Sequence, residues 1–178
     1  MKVHAKEIIV SILLIMFSFS AMAEVSNKYK LSSDDVISVT IFDEPDLSLK
    51  EVRVSSSGTI SMPLVGQIIV RGMTLDQAEK IVRDKYLGDY LKKPDVSITI
   101  VEYRQFYVNG EVNKPGGYSY RDGMTVQRAI TLAGGFTERA SRTSIVIAKE
   151  NSTAIKRDAK LNESVEPGDV ITVEESFF

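Results

Sequence analysis

The amino-acid sequence predicts an α+β fold, built as two small domains that meet near residue 103. Short stretches alternate apolar and β-branched side chains with polar ones, which is typical of half-buried strands. Two longer stretches instead space their apolar residues as a helix does, and each follows a threonine that can cap a helix. Glycine and proline separate these stretches, and one helical stretch falls in each half of the chain.

The first predicted domain covers residues 24–103 and opens with strands. In the segment from Val36 to Phe42, the side chains of Ile37, Val39 and Ile41 share one face, as in a strand with one buried side. Ser57-Gly58 and the pair Pro63 and Gly66 indicate turns. Further strands are predicted at residues 51–55, 59–62, 67–70 and 95–101.

A helix is predicted between the last two of these strands. Thr74 is suited to the N-cap, and Gln77 three residues later completes a capping box. Gly88 is expected to end the helix, because glycine readily adopts the left-handed conformation found at many helix exits.

The second predicted domain covers residues 104–178. A strand at 105–112 is followed by a turn at 114–117 and a return strand at 118–120. Thr125 is expected to cap a second helix, which Gly134 and Gly135 end. The remaining strands are predicted at residues 144–148, 153–157 and 170–173.

Residues 1–23 have the three-part order of a secretory signal peptide. A positive start is followed by an apolar run from Ile8 to Phe19 and then by Ala21-Met22-Ala23, a small-residue cleavage site. The run is shorter than the roughly 20 residues that a membrane-spanning helix needs. We therefore expect export to the periplasm with cleavage after Ala23, and an uncleaved membrane anchor is the alternative.

The composition excludes several classes of function. Without Lys2, Lys6 and Glu7, the 22 basic and 24 acidic side chains fall to 20 and 23, so no basic surface for nucleic acid is expected. The chain has no cysteine, and its one histidine, His4, lies in the predicted signal. Metal sites and nucleophilic catalysis that depend on these residues are therefore not expected. No cofactor is predicted.

Paired carboxylates leave one enzymatic alternative open. Asp34-Asp35 and Asp43-Glu44 could serve glycoside hydrolysis, which uses two carboxyl groups roughly 5–10 Å apart. Both pairs are expected at strand ends, where acidic side chains are ordinarily solvated, and neighbours on a strand point to opposite faces. We therefore predict that the protein is not an enzyme and has no catalytic residue.

Several segments together resemble a known family. Those of the first domain are similar to the polysaccharide export domain of the outer-membrane polysaccharide export (Wza-like) proteins, and those of the second to the soluble-ligand-binding β-grasp (SLBB) domain. The order GTI-x-x-PL-x-G, G-x-V-x-x-PG, AGG and PGD makes the resemblance specific. The matching segments are Tyr29 to Ser48, Val52 to Val82, Tyr90 to Tyr103, Phe106 to Tyr120, Ala129 to Ser141 and Val165 to Phe178.

The resemblance implies a small mixed-sheet export domain followed by a β-grasp domain, in a protein that assembles as a homo-oligomeric ring around the exit path of a polysaccharide. An inner-membrane polysaccharide copolymerase is the implied partner. The best-known members are lipoproteins and end in a pore-forming helix, whereas this sequence lacks both features. It therefore resembles a short form, expected in the periplasm or peripheral to the outer membrane, that works with a separate outer-membrane channel.

Two sets of residues follow from this interpretation. Tyr118, Tyr120 and Arg121 are candidate glycan contacts, because aromatic rings stack on sugars and arginine binds acidic groups. A monomeric periplasmic glycan-binding module, with Tyr103, Phe106 and Tyr107 as further candidates, is the alternative to a ring. The residues expected to determine the fold are Gly58, Pro63, Gly66, Gly110, Pro115, Gly116, Gly134, Gly135, Gly168 and Asp169.

The two halves also share short similarities. Asp35-Val36-Ile37-Ser38-Val39 resembles Asp169-Val170-Ile171-Thr172-Val173. Such a likeness is expected of any strand that enters a core from a turn, so we favour a shared packing requirement over duplication.

Overall fold

A computed structural model describes residues 29–150 and 155–176. The predicted signal, residues 1–23, lies outside these ranges. Within them, neither helix has the length and apolar character needed to cross a membrane. The same residues contain no cluster of acidic or histidine side chains suited to holding a metal ion.

The N-terminal half consists of a three-stranded sheet, a hairpin and a helix. Strand β1 lies at the centre of the sheet and pairs antiparallel with β2 on one side and with β5 on the other. Strands β3 and β4 form the separate hairpin. In chain order the elements are β1 (Val36–Ile41), β2 (Leu49–Arg53), β3 (Thr59–Met62), β4 (Gly66–Ile69), α1 (Leu75–Tyr86) and β5 (Val96–Glu102).

Helix α1 begins as the sequence predicts. The Thr74 hydroxyl accepts a hydrogen bond from the Gln77 backbone amide, and the Gln77 side chain accepts one from the Thr74 amide, which completes the capping box. The helix buries Ala78, Val82 and Tyr86 against the sheet. It ends at Tyr86, two residues before the predicted Gly88.

Helix α1 also covers the outer edge of β5. A Glu79 carboxylate oxygen accepts a hydrogen bond from the Ile98 backbone amide at 2.8 Å. An edge strand otherwise leaves such an amide free to pair with another chain.

The β3–β4 hairpin has a strained tip. Leu64 lies at φ 62°, its side chain is 65% exposed, and the Val65 amide donates to the Pro63 carbonyl at 2.7 Å. This φ is uncommon for a residue with a side chain. Two tyrosine hydroxyls support the tip: Tyr86 donates to the Pro63 carbonyl at 2.6 Å and Tyr90 to the Leu64 carbonyl at 3.3 Å.

The C-terminal half is a five-stranded mixed sheet with one helix on one face. Its order is β7-β6-β10-β8-β9, in which the first and last strands of this half, β6 and β10, lie side by side and run parallel. This order is that of a β-grasp sheet, and the predicted α+β class is confirmed. In chain order the elements are β6 (Phe106–Gly110), β7 (Gly116–Tyr118), α2 (Val126–Leu132), β8 (Ala140–Ala148), β9 (Ile155–Lys156) and β10 (Val170–Glu175).

Each half has its own hydrophobic core. The N-terminal core contains the inward side chains of β1 and β5 and the buried face of α1. The C-terminal core packs Val126, Ala129 and Ile130 of α2 against inward residues of the sheet. These sheet residues are Phe106, Val108, Ile145, Ile147, Ile171 and Val173.

Two predicted strands differ in position. Strand β7 begins at Gly116, where a turn was expected, and ends at Tyr118, so the prediction of 118–120 was two residues late. Phe106 pairs with Tyr118, and this register draws Gly116 and Gly117 into the ladder. Strand β8 begins at Ala140, four residues before the predicted start, because its first residues pair with the end of β10.

The residues expected to determine the fold lie mostly at turns. Pro63 is in the β3–β4 turn, Pro115 directly precedes β7, and Asp169 directly precedes β10. Gly116 is the exception among the glycines, since it has ordinary strand geometry. A left-handed φ is found at Gly58, Gly66, Gly110, Gly134, Gly135 and Gly168.

Candidate functional site at the junction of the two halves

Asp35 is a fully buried carboxylate at the start of β1. The preceding residue, Asp34, has φ 70°, which turns the chain so that Asp35 points inward, and its side chain is 0% exposed. One carboxylate oxygen accepts the Ser32 backbone amide at 2.8 Å. The Tyr29 hydroxyl donates to the two oxygens at 2.6 and 2.7 Å.

Arg104 binds this carboxylate from the segment that links the two halves. Its backbone amide donates to Asp35 at 3.0 Å, and its guanidinium group lies 3.3 Å from the other Asp35 oxygen. The guanidinium also donates to the Tyr29 hydroxyl and to the Glu150 carboxylate, each at 2.6 Å. We call Tyr29, Asp35, Arg104 and Glu150 the junction cluster, since its members come from both halves.

The charges in the junction cluster stabilise one another. Burial alone would lower the pKa of Arg104, but Tyr29, Asp35 and Glu150 outweigh burial and leave that pKa raised. Burial, followed by the hydrogen bond to Asp35, raises the pKa of Tyr29 far above its ordinary range. Removing one partner of a buried ion pair costs about 3–5 kcal/mol, because the other charge is left without compensation.

Gly168 makes room for this cluster. A Cβ atom at this position would lie 2.3 Å from a Glu150 carboxylate oxygen and 2.9 Å from Arg104 Nε. The residue also has φ 86°, a conformation that side chains disfavour. The glycine of the PGD motif is therefore required by the contacts at the junction as well as by its turn.

Asp169 repeats the arrangement of Asp35 at the start of β10. It is 1% exposed, its carboxylate accepts the amide of the residue three positions earlier, Glu166, at 2.7 Å, and it binds Lys149 at 2.8 Å. Burial raises the pKa of Asp169, and the hydrogen bond from Lys149 opposes that rise. The similarity between the two sequence segments thus corresponds to one turn geometry used twice.

A polar cleft of about 360 Å³ lies beside the junction cluster. Its walls come from both halves and include backbone and side-chain groups of either charge. We call it the junction cleft; it is lined by Ser33, Asp34, Arg53, Glu102, Tyr103, Arg104, Gln105, Tyr107, Glu150 and Gly168.

The predicted glycan contacts do not form one surface with the cleft. Tyr118 is partly buried against Phe106, with ring centroids 6.0 Å apart, and its hydroxyl donates to the Lys114 carbonyl. Tyr120 packs edge-on against Tyr103 at 5.2 Å. Arg121 is exposed between β7 and α2. Their role as glycan contacts stays a prediction.

The exposed aromatic residue at the junction cleft is Tyr107. Its neighbour Phe106 is completely buried, whereas Tyr107 is 46% exposed on the opposite face of β6. The alternation of a strand separates the two, and this signal was present in the sequence. Sequence reasoning named Tyr107 only within the alternative, among five aromatic residues.

The expectation that both acidic pairs are solvated was wrong for Asp35. Asp34, Asp43 and Glu44 are exposed or partly exposed, but Asp35 is inside the junction cluster with both oxygens bound. Its partner Arg104 is 69 residues away along the chain, so no local pattern could have identified the pair.

Comparison with known proteins gives several relatives. The chain is 32% identical over 139 residues to the exopolysaccharide production protein ExoF of Rhizobium meliloti, covering 70% of this chain and 33% of that protein. It is 26% identical over 184 residues to the EPS I polysaccharide export outer membrane protein EpsA of Ralstonia nicotianae, covering 83% and 47%. A third relative, the polysialic acid transport protein KpsD of Escherichia coli, is 26% identical over 134 residues, covering 74% and 22%. The chain thus spans less than half the length of each of these proteins.

Two family models match the chain in succession. Residues 23–101 match the model for polysaccharide biosynthesis/export proteins, and residues 105–158 match the SLBB domain. The two matches correspond to the two halves that the junction cluster connects. The chain therefore belongs to the family of polysaccharide biosynthesis/export proteins and carries an SLBB domain after its export domain.

Proposed function

We propose that this protein is a periplasmic component of a conduit that exports a capsular polysaccharide or exopolysaccharide. It acts as a transport protein and not as an enzyme. Copies of the chain form a ring that receives the polymer from an inner-membrane copolymerase and passes it to a separate outer-membrane channel.

The observation that carries this proposal is the succession of an export domain and an SLBB domain in one chain. The relatives that share this region are named for polysaccharide production, export or transport. Because they are longer than this chain, we assign it only the part of the pathway that this region can serve. We place the boundaries at residues 1–23 for a cleaved signal, 24–103 for the export domain and 104–178 for the SLBB domain.

The junction cluster supports assembly into a ring. A ring closes only if each copy meets the next at one fixed rotation, which requires the two halves of a copy to keep a constant orientation. Asp35 and Arg104 are both almost completely buried and bind each other between the halves. The open edges of the C-terminal sheet at β7 and β9 offer backbone groups for pairing with a neighbour.

The test is a deletion of the gene in a strain that secretes its polysaccharide. We expect surface and secreted polymer to fall strongly, with polymer retained inside the cell envelope, and a plasmid copy to restore secretion. Native mass spectrometry of the purified protein should give a closed multiple of the protomer mass, alone or with the copolymerase. Normal secretion by the deletion strain would contradict the export role.

A monomeric glycan-binding module is the second candidate function. The observation in its favour is the exposed ring of Tyr107 beside the junction cleft. A protein that stays monomeric at high concentration and also with the copolymerase present would support this candidate against the ring.

A further inference from the structure

We propose that the junction cleft and the adjoining open face of the C-terminal sheet bind an uncharged saccharide segment, with the Tyr107 ring as its stacking platform. This inference rests on the proposed export function and names the class of polymer that the site accepts. It is carried by a row of apolar residues on the sheet, by the setting of one ring and by the charges of the cleft.

An apolar row crosses the sheet on the face opposite α2. Tyr107 of β6 pairs with Val170 of β10, Val170 pairs with Ala148 of β8, and Ala148 pairs with Ile155 of β9. Residues paired in this way lie on one face, about 4.8 Å apart from strand to strand. Together with Gly117 of β7, the apolar row spans all five strands, a length of roughly 19 Å.

The row is the one nearest the N-terminal half, and the next row is more polar. There Asn109 pairs with Thr172, and Thr172 pairs with Val146. Tyr107 and Ile155, at 46% and 59% exposed, stand at either side of the partly buried Val170 and Ala148. An extended chain with flat apolar faces fits such a shallow track, whereas a compact ligand would leave most of it uncovered.

The Tyr107 ring lies across Gly117 and is supported by it. A Cβ atom at Gly117 would lie 3.0 Å from Tyr107 Cε1 and 2.5 Å from the Gln105 side-chain oxygen. Without a side chain there, the ring rests against the backbone of β7 while the rest of it faces the solvent. The apolar C–H face of a sugar ring packs well on an aromatic face held in this way.

The charges around the cleft favour an uncharged ligand. Four carboxylates (Asp34, Asp35, Glu102 and Glu150) accompany the two guanidinium groups of Arg53 and Arg104. Arg104 is bound to Asp35, Glu150 and Tyr29, and Arg53 donates to the Asp34 carbonyl at 3.0 Å. Sugar hydroxyls can donate to the exposed carboxylates, whereas the acidic groups of a polyanion would be repelled.

The volume is also appropriate. At about 360 Å³, the junction cleft falls at the lower end of the range of about 300–1,000 Å³ found for small-ligand sites. It can hold one or two sugar rings, and the apolar row continues the path beyond it.

Titration of the purified, isotope-labelled protein with three hexasaccharides tests the proposal. Cellohexaose and maltohexaose are neutral, and hexagalacturonate is acidic. We expect at least one neutral hexasaccharide to shift the backbone resonances of Tyr107, Val170 and Ala148, and hexagalacturonate to bind at least roughly tenfold more weakly at low salt, where charge repulsion is largest.

Matched variants separate stacking from loss of folding. Tyr107→Ala should weaken the neutral ligand roughly fivefold or more, while Tyr107→Phe, which keeps the ring, should bind as the wild type does. Gly117→Ala should also weaken binding by displacing the ring. Its control is Gly116→Ala, since a Cβ there meets no atom within 4 Å, and binding should be unchanged.

Three results would overturn the proposal: no binding of either neutral hexasaccharide, equal or tighter binding of hexagalacturonate, or full binding by Tyr107→Ala. None of them bears on the export role, which the deletion strain tests separately. If the deletion abolishes secretion and the hexasaccharides do not bind, the export role stands and this site is wrong.

Discussion

At the scale of single residues, the junction depends on a glycine as much as on its charges. Gly168 lies against the Arg104–Glu150 pair, and no other residue would leave both the turn and the pair intact. Gly66 offers a useful contrast, because it has a similar left-handed φ of 72° but a Cβ atom added there would meet no other atom within 4 Å.

We expect Gly168→Ala to lower the free energy of unfolding by about 3 kcal/mol and Gly66→Ala by about 1 kcal/mol. Both variants carry the cost of a side chain in the left-handed region, roughly 1–2 kcal/mol, which is partly offset by a stiffer unfolded chain. Only Gly168→Ala also displaces a buried arginine from its partner, and because Glu150 is 37% exposed this adds about 2 kcal/mol rather than more. Urea unfolding followed by circular dichroism measures both.

Equal losses for the two variants would show that the turn alone requires glycine at 168. In that case the close approach of Arg104 and Glu150 would be relieved by a small shift of their side chains.

At the scale of elements, helix α1 supports the strained hairpin tip. The tip carbonyls of Pro63 and Leu64 accept from Tyr86 and Tyr90, which lie at the end of the helix and just after it. Tyr86 is completely buried, whereas Tyr90 is 48% exposed and makes the longer bond. The two tyrosines therefore contribute unequally to one contact between elements.

We expect Tyr86→Phe to reduce the unfolding free energy by about 1–2 kcal/mol, because a buried carbonyl loses its donor. Tyr90→Phe should change it by less than about 0.5 kcal/mol, since water can replace an exposed hydroxyl. Thermal unfolding of both variants beside the wild type provides the measurement. A larger effect of Tyr90→Phe would mean that the exposed hydroxyl is the main support of the tip.

The elements that the sequence predicted well are those with local causes. The capping box of Thr74 and Gln77 involves residues three positions apart, and the alternation in β1 is visible within six residues. Strand β7 was misplaced because Gly116 and Gly117 have the composition of a turn and enter the sheet only through pairing with β6. The junction cluster was missed for the same kind of reason, since Asp35 meets Arg104 only in the folded chain.

At the scale of the whole molecule, two hydrophobic cores are joined by one polar, buried contact. The cores are separate, with the N-terminal one formed by residues between Leu31 and Ile98 and the C-terminal one by residues between Phe106 and Val173. Interfaces within a chain that are small and polar usually allow relative motion. The junction cluster opposes that motion because separating the halves would expose the Asp35–Arg104 pair without its hydrogen bonds.

We expect Arg104→Ala to uncouple the two halves, so that urea unfolding changes from one transition to two. The uncompensated Asp35 should lower the stability of the N-terminal half by about 3–5 kcal/mol. Near-ultraviolet circular dichroism is a suitable probe, because the junction is rich in tyrosine and the chain has no tryptophan. Arg53→Ala is the control: Arg53 is exposed and should leave the transition unchanged within about 0.5 kcal/mol. One unshifted transition in Arg104→Ala would contradict the coupling.

The parallel pairing of β6 with β10 also sets the order in which the halves can form during synthesis. The N-terminal sheet can be completed once β5 has been made, because β1 and β5 are its outermost partners in the chain. The C-terminal sheet needs β10 at its centre, so β6 and β8 wait with unpaired edges until almost the whole chain is present. Non-local pairing of this kind forms slowly and leaves edges open to wrong partners. The nascent protein is therefore most vulnerable to aggregation in the interval just before its last strand arrives.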